Sequence, residues 1–210
     1  MRNNNPLKNQ TYRRSLFLGT LFFLLAMIVT YVVVDFANTR EGANSVGDLI
    51  LDNAPDVNLF FFRVLLPLTS FLLAAWFLLK HPERLPAALL SISLMYMVRA
   101  VFILVTYLEA HPQKTFLNEA HPFFALLPFQ GNDLFFSGHV AFPLMMAFLF
   151  WDSKHIRTIF ILLSISSGAV TLLSKAHYTI DVLAAPFISY GVFRCSEKLF
   201  GKDFERFKSS

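Results

Sequence analysis

The 210-residue chain has one cysteine, Cys195, so an intramolecular disulfide is excluded, as is any metal site built from several thiolates. Charge is equally scarce. Only 15% of residues are Asp, Glu, Lys or Arg, against 55% hydrophobic, and the mean hydropathy is +0.53. A water-soluble domain of this size carries roughly 25% charged residues. The balance excludes an ordinary soluble fold and points to a chain that lives in lipid. Glycine and proline are too few and too dispersed to form a linker, and neither repeats nor low-complexity tracts occur. No His-Glu-x-x-His signature is present, so nothing local announces a zinc site. We read residues 1–210 as a single membrane domain.

Against these absences stand six apolar stretches, near Ser15–Val34, Leu59–Leu79, Pro86–Leu108, Leu134–Trp151, Ile156–Leu173 and Ile180–Phe193. A helix needs about 20 apolar residues to cross the hydrocarbon core. The expectation is therefore an all-α integral membrane protein with six transmembrane helices. The first stretch follows a basic leader, but it is longer than the apolar region of a signal peptide. The small-residue triplet Ala43-Asn44-Ser45 lies far downstream for cleavage, so the stretch reads as a retained helix.

Basic residues set the orientation. Thirteen of the 18 lie before the first stretch, between the second and third, around the junction of the fourth and fifth (Lys154 and Arg157), and after the sixth. By the positive-inside rule both termini are expected in the cytoplasm, with outward loops at Asp35–Asn58 and Glu109–Asp133. The net charge of +4 thus reports topology and not nucleic-acid binding.

This orientation gathers the unusual polar residues on one face. Ser137-Gly138-His139 opens the fourth stretch, His177 lies in the turn after the fifth, and Asp181 begins the sixth. If His177 to Asp181 is helical, the two share a face four residues apart. The carboxylate then holds one ring nitrogen and raises the basicity of the other, as a nucleophilic or general-base histidine requires. His139 faces the pair as a proton donor to a leaving group. A metal site made by the same three side chains is the alternative reading. Arg99 sits about 13 Å inside the third stretch by helical rise, and a cation at that depth calls for a partner. Arg63 lies nearer an end of the second stretch, and Lys175 precedes His177 by two residues. Cations, helix-start amides after Ser137-Gly138 and paired histidines suit a phosphate, and at this depth the accessible phosphate belongs to a lipid. The aromatic rings of Phe135, Phe136 and Tyr178 suit a quaternary-ammonium cage or, more simply, packing.

The segments "GNDLFFSGH" and "AHYTIDVLAA" resemble the third and fourth motifs of the sphingomyelin synthase branch of the type 2 phosphatidic acid phosphatase superfamily. "RAVFILVTYL", Arg99 to Leu108, is similar to part of that branch's second motif, and "NAPD", Asn53 to Asp56, faintly to its first. These motifs fall within residues 99–185. The resemblance implies six helices with cytoplasmic termini and an active site on the non-cytoplasmic face. It implies His177 as nucleophile, Asp181 as its orienting partner and His139 as acid for the leaving group, through a phosphohistidine formed without metal or other cofactor. Arg99, Lys175, Ser137, Gly138 and Asp133 are the expected substrate contacts.

Two departures stand out. The Lys-rich first motif of the phosphatase branch, ending in Arg-Pro, is absent, and "EAHP" follows where the synthase branch has a Leu-Pro pattern. The expected activity is transfer of a phospholipid headgroup phosphoryl unit to a lipid alcohol. Hydrolysis with water as acceptor is the alternative, followed by a non-catalytic lipid transporter. The expected partners are membrane lipids.

Overall fold

In the computed structural model, residues 9–40, 42, 44–55, 57–106, 108–112 and 133–208 are described. Arg2, Lys8, Asp56, Lys114 and most of the Glu109–Asp133 loop lie outside them. The described residues form seven α-helices: α1 Gln10–Thr39, α2 Phe60–Lys80, α3 Leu85–Val105, α4 Gly138–Leu149, α5 Lys154–Leu173, α6 Thr179–Leu199 and the short α7 Gly201–Lys208. A 3-10 turn, Pro82–Arg84, leads into α3. Among the described residues no strand forms, only an isolated bridge between Asn44 and Leu108.

Local chemistry sets the helix starts. Asn9 accepts from the backbone N–H groups of Thr11 and Tyr12 with its side chain, capping α1. Asn58 accepts from Phe60 at the start of α2. Pro86 occupies the first turn of α3, where its missing N–H costs nothing. At the other end of α3, Arg40 donates to the carbonyls of Ile103 and Thr106, groups a helix terminus leaves without donors.

Four of the elements, Gln10–Thr39, Phe60–Lys80, Pro82–Val105 and Lys154–Leu173, are long and apolar enough to cross a membrane. Their outer faces carry Phe17, Leu21, Ile28, Leu68, Leu72, Trp76, Leu162 and Ile165 in exposed positions. Such a continuous apolar exterior would be unusable in water, and it marks a multi-pass membrane protein. The other two expected spans differ from the sequence expectation. The Leu134–Trp151 stretch is helical only over Gly138–Leu149, a rise of about 18 Å. It starts late because Phe135 takes a left-handed backbone, φ 67°, which interrupts any helix arriving from Leu134. Helix α6 has the length but carries Asp181, Arg194, Glu197 and Lys198.

Successive helices alternate in direction. At one end of the bundle Tyr12 donates to the Pro82 carbonyl, and Arg84 forks onto Asp152 while also donating to Leu149. Ser91 and Ser196 join α3 to the last turns of α6. The beginning of α1 and the end of α6 therefore share that end. Between the two ends α1 packs on α3, α4 on α5 and α6, and α2 on α5. Phe136, Met145, Met146, Phe150 and Phe160 are completely buried at the centre. Small residues bring α5 close to its neighbours. A Cβ on Gly168 would meet Val182 at 3.2 Å and Val140 at 3.5 Å, and Ser164 donates to the Val140 carbonyl. That approach sets the first turns of α4 and α6 side by side.

Candidate active site

At the end of the bundle opposite Arg84, the starts of α4 and α6 meet. The N–H of Ser137, the residue capping α4, donates to the Asp181 carbonyl at 3.0 Å. His177 Nδ1 lies 3.1 Å from Asp181 Oδ2. A carboxylate accepts only, so Nδ1 carries a proton, and in the neutral ring Nε2 then presents its lone pair. The rings of His139 and His177 stand edge to face with centroids 5.7 Å apart. His177 and Asp181 are almost fully buried, His139 half-buried.

The pairing forms by a different route from a shared helical face. His177 lies before α6, and Tyr178 caps it with an extended backbone. Asp181, in the first turn, accepts from the Tyr178 N–H at 3.2 Å as well as from His177. The capping geometry turns the chain back so that His177 meets the carboxylate. The second carboxylate oxygen, Asp181 Oδ1, and the Ser137 hydroxyl are both buried without a hydrogen-bond partner.

The expected substrate contacts divide. Arg99 is drawn onto the chain before α4. It donates through Nε to the Phe136 carbonyl at 3.0 Å, and through Nη2 to the Asp133 carbonyl at 2.6 Å and Asp133 Oδ2 at 3.1 Å. Gly138 lies against the same guanidinium, where a Cβ would stand 3.6 Å from Nε. Arg63, from α2, is within electrostatic reach of Asp133 and His139. Arg99, Asp133, Gly138 and His139 thus form one group.

Lys175 closes α5 in a Schellman turn: Ala176 N–H bonds the Thr171 carbonyl and Lys175 N–H the Leu172 carbonyl. Its φ of 50° is left-handed, a position that favours glycine, yet a buried lysine occupies it. The aromatic cage does not form. Phe136 is core, Phe135 packs on Phe102, and Tyr178 stands against His111.

One part of the site has no signal in the local sequence. The segment between α1 and α2 folds back over the start of α6. There Asp48 accepts from Thr179 N at 2.6 Å and Thr179 Oγ1 at 2.7 Å. Burial alone would raise the Asp48 pKa. The bonds from Thr179, Leu51 and Ile50 outweigh it and hold the carboxyl below its ordinary 3.8. Tyr178 adds a second tie, its hydroxyl donating to the Glu109 carbonyl and accepting from Val46 N–H. The acidic residues of this segment are visible in the sequence, but nothing local singles out Asp48.

Fold and site together define a multi-pass, all-helical membrane protein that carries a buried His–Asp pair and a facing histidine at one end of its bundle. Residues 130–198, a third of the chain, match the family model described as PAP2 superfamily C-terminal. The matched segment contains α4, α5 and all but the last residue of α6, hence His139, His177 and Asp181. No curated protein matches the chain.

Proposed function

We propose that the protein is a membrane lipid phosphotransferase that moves a phospholipid's headgroup phosphoryl unit to a lipid alcohol through a phosphohistidine. The observation that carries this reading is the pairing of His177 with Asp181 at 3.1 Å, with the His139 ring centroid 5.7 Å from that of His177. Asp181 holds the proton on Nδ1, and His177 Nε2 attacks phosphorus. The bond from phosphorus to the lipid oxygen breaks, and His139 delivers a proton to that oxygen. In the second half His139 takes the proton of the acceptor hydroxyl, whose oxygen displaces His177 from phosphorus. Arg63, Arg99 and Lys175 supply the positive charge that a phosphate needs, and the start of α4, from Gly138 onward, supplies the first amides of the helix beside the Ser137 hydroxyl. Asp133 holds Arg99 in place.

With water as acceptor the same residues act as a lipid phosphate phosphatase, a reading the superfamily description favours equally. Purified protein incubated with mixed labelled phospholipids, with and without diacylglycerol or ceramide, separates the two by mass spectrometry. A phosphorylated lipid alcohol that forms only with added acceptor supports transfer. Free headgroup phosphate formed regardless of acceptor assigns hydrolysis, and no turnover in either arm removes both.

Helices α1 to α6 are read as six spans of one domain, with both termini cytoplasmic and the site facing outward. The 13 basic residues in alternate connections support this orientation. Helix α4 reaches across only with its flanking residues, and a non-helical lead such as Leu134–Ser137 is tolerated in a membrane when buried in protein, as these side chains mostly are. Single cysteines at Leu49 and Lys154 in a Cys195→Ser background test it. An impermeant thiol reagent should label intact cells only at Leu49, and labelling only at Lys154 would invert the topology.

A further inference from the structure

Beside His139 lies a cavity of about 300 Å³. Its wall comes from four helices and includes Met27, Pro67, Ser70, Tyr96, His139 and Phe142. Two prolines help to make the space. Pro67 and Pro143 both line it, and neither can donate to the carbonyl four residues back, Arg63 and His139 respectively. The packing also leaves a way in. Helix α1 is committed to α3 and α2 to α5, so α1 and α2 make little contact with each other. The exposed faces beside that gap are apolar, with Leu24 and Ile28 on one side and Leu68 and Phe71 on the other.

A second observation points to an occupant. The Ser70 hydroxyl is buried, lines this wall, and has no hydrogen-bond partner. Helical serines commonly satisfy themselves on the preceding turn. Ser70 does not, and a buried hydroxyl in an apolar wall is costly until a polar atom meets it.

We propose that this cavity holds the lipid alcohol, with its reacting oxygen at His139 and a neighbouring ester or amide carbonyl accepting from Ser70. The assignment rests on the acid–base reading of His139. In-line displacement requires the departing oxygen to lie opposite His177, and the attacking acceptor oxygen must later come from that same side. Leaving and entering lipid alcohols therefore use one site in turn, on the His139 side of the phosphorus. His139 borders the cavity and His177 does not. The lateral gap between α1 and α2 admits the lipid from the bilayer.

The test is photolabelling of the full chain in phosphatidylcholine–phosphatidylglycerol vesicles that contain a diazirine-bearing diacylglycerol, with adducts located by mass spectrometry. Adducts should concentrate at Ser70, Phe71, Tyr96 and Phe142, and fall at least fivefold in Ser70→Leu, which fills the space. Adducts on the outward Phe17 and Leu21 should stay constant. Ser70→Ala, the milder change, should raise KM for lipid about two- to tenfold, the size of one hydrogen bond. Its pre-steady-state burst of p-nitrophenolate from a p-nitrophenyl phosphodiester, a half-reaction that involves no lipid alcohol, should stay within twofold. Adducts spread over the exposed faces and indifferent to Ser70→Leu would overturn the assignment, as would equal losses on both substrates in Ser70→Ala. Focused, Ser70-dependent labelling without turnover of any donor would support the cavity assignment while removing the catalytic reading.

Discussion

The N–H of Ser137 donates to the carbonyl of Asp181 across 3.0 Å, joining the residue that caps α4 to the first turn of α6. His139 rides on one side of that bond and His177, through Asp181, on the other. Ser137 has φ −66°, the value proline imposes, so Ser137→Pro deletes the donor without demanding a new φ at this residue. Ser137→Ala removes the unpartnered hydroxyl and keeps the donor. We expect Ser137→Pro to lower kcat about 10²-fold, the scale of a small misplacement of catalytic groups, and Ser137→Ala to cost far less. Steady-state kinetics on the labelled lipid checks both.

The two histidines should separate by leaving group. Attack by His177 serves every substrate, so His177→Ala should abolish turnover of all of them. His139 helps in proportion to the basicity of the departing oxygen. His139→Ala should lose roughly 10²- to 10⁴-fold on natural lipid and much less on a p-nitrophenyl phosphodiester, whose phenolate leaves unaided. Equal losses on the two substrates would assign His139 to binding or structure.

Lys175 sits where glycine belongs. Lys175→Gly and Lys175→Ala remove the same ammonium, and both should reduce turnover at least tenfold. Only glycine relieves the left-handed backbone, so it should be the more stable of the two by about 1 kcal/mol. Thermal unfolding in detergent reads the difference. Variants as active as the parent would leave the lysine without a part in phosphate binding.

The bond between Asp48 and Thr179 should resist acid to an unusual degree. Its carboxyl is held below 3.8, so its contribution is complete above that value and disappears as pH falls through the depressed value. Hydrogen-exchange protection of residues 44–55 and of the Thr179 amide, corrected for intrinsic rates, should be flat from about pH 8 to 5 and fall only below about pH 4. Asp48→Asn should lose that protection throughout. A decline centred near pH 6 would assign the sensitivity to a histidine.

Chelation tests the covalent reading against the metal-ligand alternative for His139, His177 and Asp181. Exhaustive treatment with a chelator should leave lipid turnover nearly unchanged, because the nucleophile is generated by the Asp181 carboxylate. Activity lost on chelation and restored by zinc or manganese would favour ligation.

Much of this was legible along the chain. Apolar runs report helices because burial in lipid is decided residue by residue, and five of the six expected stretches correspond closely to helices. The four-residue spacing of His177 and Asp181 was enough to anticipate their pairing, although capping at Tyr178 brings it about instead of a continuous helical face. Tertiary structure decided the rest. Arg99 was legible as a buried cation, but its partners Asp133 and Phe136 lie 34 and 37 residues away, across helix packing that no local pattern encodes. The Asp48 contact spans 131 residues. The start of α4 was set by the backbone at Phe135, and the cavity at Ser70 by how four helices pack around it. Hydrophobic periodicity states which residues leave water. It does not say which of them meet, because that choice depends on how side chains from distant segments fill a shared volume.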